Sequence, residues 1–145
     1  MAIRCDACVF IAISDGRRVS AAMASGSRRG AIAAACAEGE TLVTGAEELR
    51  VKESDRIAVM ARGLDVVGVR NEVLPDGLRI EGGPIAGGVV DSHGDHRVAM
   101  SFAMASLRAS APIEILDVAN VATSFPGFAD LARSVGLPLA EGTGS

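Results

Sequence analysis

Aromatic side chains are almost missing from this sequence. Its 145 residues include 4 Phe and no Trp or Tyr. Proteins that hold single-stranded nucleic acid stack the bases on aromatic rings, and a net charge of -4 does not attract a polyanion. We therefore expect no nucleic-acid partner. Because 49% of the residues are hydrophobic, the chain should fold around a core of aliphatic side chains.

Residues that bind metals are also scarce, since the chain has 3 Cys and 2 His. Cys5 and Cys8 form a CxxC pair, but a zinc site needs a second pair of ligands at a suitable spacing. His93 and His96 likewise lack a third ligand. Cys36 lies in a run of small apolar residues, which favours a buried, inert thiol. The sequence therefore predicts neither a metal site nor a redox site.

No apolar run approaches the roughly 20 residues that a membrane-spanning helix requires. The apolar run 7–13 is short for a signal peptide and is flanked by Asp6 and Asp15. Residues 1–30 are rich in Arg and Ser and differ in composition from the rest, which leaves an organelle presequence as the alternative. We expect no membrane partner and a cytoplasmic location.

Hydrophobic periodicity and turn residues divide the rest of the chain into alternating helices and strands. Pro and Gly at 75–77 favour a tight reversal, which predicts a hairpin of strands 71–74 and 78–81. The order of elements indicates an α+β fold in which helices cover one side of a sheet. The other predicted elements are helices at 31–38, 57–67, 97–108 and 126–135, strands at 41–43, 89–90 and 113–116, and a frayed tail at 139–145.

Cations stand at the start of two of these predicted helices. Lys52 and Arg56 surround the first start, and His96 and Arg97 lie at the second. The helix dipole and the unpaired N–H groups of a first turn normally favour acids there. Helix starts with added cations are suited to phosphate or carboxylate. The two starts together predict one shared site for a small anion.

A second interpretation of the same residues is structural. Ser54 or Asp55 would cap the first helix, Asp95 would cap the second, and Arg97 would pair with Asp91. The charges before the first helix would then form an exposed network in which each pair contributes little. That network would consist of Glu47, Glu48, Arg50, Glu53, Asp55 and Arg56.

Three segments together resemble the 5-enolpyruvylshikimate-3-phosphate synthase (3-phosphoshikimate 1-carboxyvinyltransferase) family. They are VKESDRI at 51–57, GDHRVAM at 94–100 and TSFPGF at 123–128, in this order. The resemblance runs from about residue 31 to 138 and corresponds to a C-terminal fragment of the family's chain. It implies part of an enolpyruvyl-transferase domain built from βαβαββ-type units, with helices packed on one side of a mixed sheet. Residues 1–30 do not resemble the family.

The resemblance also implies a reaction. The family transfers the enolpyruvyl group of phosphoenolpyruvate to the 5-hydroxyl of shikimate 3-phosphate, in the shikimate pathway of aromatic amino-acid biosynthesis, without a metal or organic cofactor. By resemblance, Arg56 and Arg97 would hold phosphoenolpyruvate. Lys52 would bind at the reacting hydroxyl and the phosphate and exchange protons, and Glu53 and His96 would lie beside the enolpyruvyl carbons.

Two departures from the family pattern bear on activity. The proton-accepting aspartate of the family is expected near Ser25, and serine cannot take that role. Some relatives carry a lysine where this chain has 123–124 Thr-Ser. We therefore expect a fragment that is inactive alone and that self-associates or is complemented by the missing domain. The alternatives are a non-catalytic truncated product, or transfer to UDP-N-acetylglucosamine, which the 52–56 segment disfavours.

Overall fold

The computed structural model describes residues 19–22, 29–52, 54–137 and 139–140. The expectations for Ser25, for Glu53 and for the Cys5–Cys8 pair lie outside the described part, as do most of the proposed presequence at 1–30 and of the tail at 139–145. In chain order the described elements are β1 (Val19–Ala22), α1 (Arg29–Cys36), β2 (Gly39–Thr44), a 3-10 helix (Glu47–Val51), α2 (Arg56–Val66), β3 (Arg70–Leu74), β4 (Gly77–Gly82), β5 (Gly88–Asp91), α3 (His96–Ala105), β6 (Ile113–Leu116), α4 (Ala119–Ser124) and α5 (Phe128–Ser134).

The first sheet has four strands in the order β1-β2-β4-β3. β3 and β4 form the predicted hairpin, with Leu74 opposite Gly77. β2 pairs antiparallel with β4, whereas β1 pairs parallel with β2, so the sheet is mixed. The α+β class is therefore confirmed. β1 lies within the segment 1–30, for which the sequence suggested no element.

β5 and β6 form a second, parallel sheet, with Gly88 opposite Ile113 and Asp91 opposite Leu116. The sequence analysis expected one sheet. A parallel pair requires a crossover connection, and α3 lies in that connection. Because parallel strands end at the same edge, the loops that follow β5 and β6 lie side by side.

The core is aliphatic, as the composition predicted, and one phenylalanine completes it. Leu64 of α2, Ile80 of β4, Val98 and Phe102 of α3 are all 0% exposed. These side chains belong to one hydrophobic cluster that joins both helices to the first sheet. The packing holds the N-terminal ends of α2 and α3 in a fixed relation, which positions the candidate site.

The C-terminal helix is observed close to its predicted position, and a further helix precedes it. The helix predicted over 126–135 corresponds to α5 (Phe128–Ser134), whereas α4 (Ala119–Ser124) was not suggested by the sequence. Gly127 lies between the two helices with a φ of +81°, a left-handed conformation that ends a regular helix. Pro126 has no N–H to donate and reinforces the interruption. No helix of the described residues has both the length and the apolar character to cross a membrane.

Candidate active site

Both predicted helix starts are capped by an aspartate. Asp55 accepts a hydrogen bond from the backbone N–H of Ala58 at 3.1 Å and caps α2. Asp95 accepts one from the backbone N–H of Arg97 at 3.0 Å and caps α3. Each carboxylate satisfies an N–H group that the helix itself cannot pair. The caps that the sequence predicted are therefore confirmed.

Asp95 also joins the two helix starts. Its residue is 1% exposed, and its carboxylate accepts hydrogen bonds from Nε of Arg56 and from Oγ of Ser54, the latter at 3.2 Å. Burial by itself would raise the pKa of Asp95. The hydrogen bonds from Arg56, Arg97 and Ser54, with the charge of Arg56, outweigh burial and hold that pKa below its ordinary value.

Arg56 is buried rather than exposed. Only 3% of its surface is accessible, and it forms an ion pair with Asp95. The exposed network proposed for this region is therefore wrong in including Arg56. Its Arg50–Asp55 pair does form, at 3.1 Å and with both side chains partly exposed. A pair in that environment is worth about 0 to 1 kcal/mol.

Arg97 and His96 stand together at the start of α3. Arg97 is exposed and His96 is half-buried. Nε of Arg97 donates to Nε2 of His96 at 3.3 Å, which is not the pairing with Asp91 that the structural interpretation suggested. Asp91 instead accepts the backbone N–H of His93 at 2.8 Å. The guanidinium of Arg97 is therefore accessible at a helix N-terminus, where an anion is favoured.

Lys52 follows the 3-10 helix and is exposed, with extended backbone (φ -89°, ψ -156°). It reaches the surface two residues before Ser54, whose hydroxyl touches Asp95. The structure thus brings Ser54 and Arg56 to the 94–97 segment through Asp95. Glu53 lies outside the described residues.

Two residues that the sequence analysis did not select support the loop before α3. Oγ of Ser92, 0% exposed, donates to the carbonyl oxygens of Leu116 at 2.9 Å and Asp117 at 2.8 Å. Nδ2 of Asn120 donates to the carbonyl oxygen of Gly94 at 2.8 Å. These bonds connect the loop after β5 to the end of β6 and to the start of α4. Ser92, a small polar residue just after the predicted strand 89–90, was the available signal.

Two cavities of the described residues are not closed substrate sites. An apolar cavity of about 30 Å³ lies beside Arg56, between Ile57 and Val98, and has room for little more than a water molecule. A larger one, about 360 Å³, is lined by Cys36, Glu38 and Arg108 and by none of the predicted site residues. Among the described residues, no group of three or more His, Cys, Asp or Glu could hold a metal ion. Arg97 is exposed, so an anion at the start of α3 would meet an accessible guanidinium.

Comparison with known proteins identifies the family. Residues 29–131 match the family model described as EPSP synthase (3-phosphoshikimate 1-carboxyvinyltransferase). This segment is more than half of the chain and contains the three motifs at 51–57, 94–100 and 123–128. The chain belongs to the EPSP synthase family. The resemblance drawn from those motifs is confirmed.

Individual relatives agree in sequence and in fold. The chain is 67% identical over 112 residues to the 3-phosphoshikimate 1-carboxyvinyltransferase of Alkalilimnicola ehrlichii, covering 77% of this chain and 25% of that one. It is 65% identical over 108 residues to the protein of the same name from Methylococcus capsulatus, covering 74% of this chain and 25% of the relative. A solved EPSP synthase from Acinetobacter baumannii is 56% identical, with a TM-score of 0.73, and covers 75% of this chain and 26% of that structure.

The chain therefore spans about a quarter of the length of these family members. The expectation of a fragment of the family's sequence is confirmed, and so is the partial family fold. The site residues Lys52, Arg56, His96 and Arg97 all lie within the matched segment. Their roles in catalysis stay predictions.

Proposed function

We propose that this chain supplies the phosphoenolpyruvate side of an EPSP synthase active site. The reaction is transfer of the enolpyruvyl group of phosphoenolpyruvate to the 5-hydroxyl of shikimate 3-phosphate. The observation that carries the proposal is the meeting of two helix starts at Asp95, with Arg56 on one and Arg97 on the other. Membership of the EPSP synthase family supports phosphoenolpyruvate as the ligand of this arrangement.

Electrostatics assign the binding roles. Phosphoenolpyruvate carries a carboxylate and a phosphate, and both favour cations and free backbone N–H groups at helix N-termini. Arg97 presents an exposed guanidinium, which can hold a carboxylate with two parallel hydrogen bonds. Arg56 adds positive charge from beneath the surface, partly balanced by Asp95. Together they hold the three-carbon anion over the start of α3.

Proton transfer completes the reaction. The 5-hydroxyl oxygen of the acceptor adds to C2 of phosphoenolpyruvate, its proton passes to a base that the rest of a family chain would supply, and C3 takes a proton, which gives a tetrahedral intermediate. Loss of a proton from C3 and of phosphate from C2 then restores the double bond. We assign Lys52 to the acceptor hydroxyl and the departing phosphate, since an ammonium group stabilises the charge that develops there. Glu53 and His96 exchange the proton at C3.

We further propose that the chain is inactive alone. It spans about a quarter of the length of its relatives, and Lys52 and Arg97 of the proposed site are exposed. The remainder of a family chain, or a second copy of this one, would have to cover the acceptor. A non-catalytic product of the same ancestry is the second candidate, and the short coverage is the observation that favours it.

An assay of phosphate release distinguishes the catalytic function from the non-catalytic one. The purified chain is incubated with shikimate 3-phosphate and phosphoenolpyruvate, alone and with a separately expressed chain covering the rest of a family member. We expect release only from the mixture, and its loss in Lys52→Ala. Arg70→Ala is the matched control, because Arg70 is an exposed cation on β3 that pairs with Glu81 at 3.7 Å. A mixture that stays inactive, with no phosphoenolpyruvate bound to either chain, would support the non-catalytic candidate.

A further inference from the structure

One buried carboxylate holds groups from two different helices. Asp95 accepts the backbone N–H of Arg97 on one oxygen, Oδ1, and both Nε of Arg56 and Oγ of Ser54 on the other, Oδ2. Arg56 and Ser54 lie 39 and 41 residues away in the sequence. Few side chains could replace it, because the position demands two acceptor atoms and a negative charge in a place that is 1% exposed.

Asp55 shows what an ordinary cap in this protein looks like. It caps α2 through Ala58 and pairs with Arg50, both close in the sequence, and it remains partly exposed. Asp95 performs the same capping at α3 but adds the long-range bonds to the start of α2. The difference between the two aspartates isolates the linking role from the capping role.

The link fixes the two candidate substrate-binding arginines relative to each other. Arg56 is the first residue of α2 and Arg97 is the second residue of α3. Asp95 contacts the side chain of the first and the backbone of the second, so one carboxylate links the two arginines directly, in addition to the core packing of their helices. The affinity for a ligand with two anionic groups depends on the separation of the two arginines, whereas the affinity for a single phosphate depends on it much less.

We propose that Asp95 is a positioning residue that sets the spacing of Arg56 and Arg97 for a ligand with two anionic groups. This inference rests on the proposed function of the site. Asp95 is buried, and its oxygens accept hydrogen bonds from Ser54, Arg56 and Arg97. It acts on binding through the two arginines.

The first experiment measures the link without any ligand. Amide hydrogen exchange is followed by NMR in Asp95→Asn and in the matched control Asp55→Asn. Asparagine keeps an oxygen for the cap but turns an N–H₂ group toward Arg56, so the bridge is lost. We expect faster exchange at the first turns of both α2 and α3 in Asp95→Asn, and at α2 alone in Asp55→Asn. Faster exchange confined to α3 in Asp95→Asn would overturn the link.

The second experiment measures discrimination between ligands. Phosphoenolpyruvate and inorganic phosphate are titrated into each variant at a temperature where circular dichroism shows it fully folded. Loss of one charge-assisted bond should weaken phosphoenolpyruvate binding about tenfold in Asp95→Asn, and phosphate binding much less. Asp55→Asn should keep the preference of the unchanged chain. Equal weakening for both ligands would mean that Asp95 is merely structural, and the positioning role would be rejected.

The two experiments separate this inference from the proposed function. If the unchanged chain binds neither ligand but exchange still couples α2 to α3, the proposed function fails, and with it the substrate role of Asp95. If Asp95→Asn does not fold, Ser54→Ala replaces it, since that change removes one bond and keeps the buried ion pair. Ser54→Ala should shift the amide resonance of Arg97 through the shared carboxylate. An unchanged Arg97 resonance would overturn the inference.

Discussion

Breaking the buried ion pair between Arg56 and Asp95 should destabilise this protein far more than removing an exposed arginine. Arg56→Met removes the guanidinium and keeps most of the side-chain volume, so packing changes little. The change forfeits a charge-assisted hydrogen bond worth about 1.5 to 3 kcal/mol. It also leaves the carboxylate of Asp95 buried, with Ser54 and the Arg97 N–H as its remaining donors of those described above. Together we expect a loss of about 3 to 5 kcal/mol.

That loss is large against the whole stability of a domain of this size, which is about 5 to 15 kcal/mol. The measurement is urea unfolding followed by far-UV circular dichroism, because the sequence has no Trp or Tyr to report by fluorescence. The free energy of unfolding is obtained by linear extrapolation to water. Arg70→Met is the matched control. Arg70 is an exposed arginine whose side chain is 85% accessible, and its loss should change stability by less than about 0.5 kcal/mol.

A second change tests the reason for the loss. Adding Asp95→Ser to Arg56→Met removes the stranded charge and keeps a capping oxygen for α3. The double variant should be more stable than Arg56→Met alone, because a buried charge without its partner is worse than no charge. If Arg56→Met costs less than about 1 kcal/mol, or if the double variant is less stable still, the reasoning from a buried ion pair is refuted.

Three further outcomes are expected. The pKa of Asp95 is lowered in the folded state. The stability that this carboxylate contributes is therefore present above the ordinary carboxyl pKa of about 4 and is lost as the pH falls through the folded value. Urea unfolding across this range should show a steeper decrease in the free energy of unfolding at acid pH for the unchanged chain than for Asp95→Ser. Gly82→Ala should destabilise the protein by about 1 to 3 kcal/mol, because the added Cβ would overlap backbone carbonyl oxygens at the C-terminal end of α1. A Cβ at the adjacent Gly83 meets no atom within 4 Å, so Gly83→Ala should be nearly neutral in the same urea assay. Burial raises the pKa of the Cys36 thiol, and the charge of Arg108 lowers it. Arg108→Ala should therefore slow the alkylation of Cys36, which is followed by peptide mass spectrometry. An unchanged rate would contradict the effect of Arg108 on the thiol.

Local physical chemistry was sufficient for the elements with a strong internal signal. The Pro-Asp-Gly turn predicted the β3–β4 hairpin, and α2 ends just before Gly68, whose φ is +79°. Asp95 was expected to cap α3 and does so. Each of these depends on residues within one or two turns of each other, so the sequence contains all the information that is needed.

The misses share a different cause. The sequence did not suggest α4 or the separation of β5 and β6 into their own sheet, and both depend on which distant segments pack together. The burial of Arg56 is the clearest example. An arginine in a charged stretch is usually exposed. Arg56 can be buried because it pairs with Asp95, which comes from another part of the chain.

Three short motifs were enough to predict the family, and the family model confirms that prediction. The two capped helix starts and the cations beside them could also be predicted from neighbouring residues. The fold was needed to show that the two starts share one carboxylate, and that Arg56 is buried while Arg97 is exposed. A cap is made by neighbours in the chain, whereas the partner of a buried charge depends on the packing of helices that are distant in the sequence.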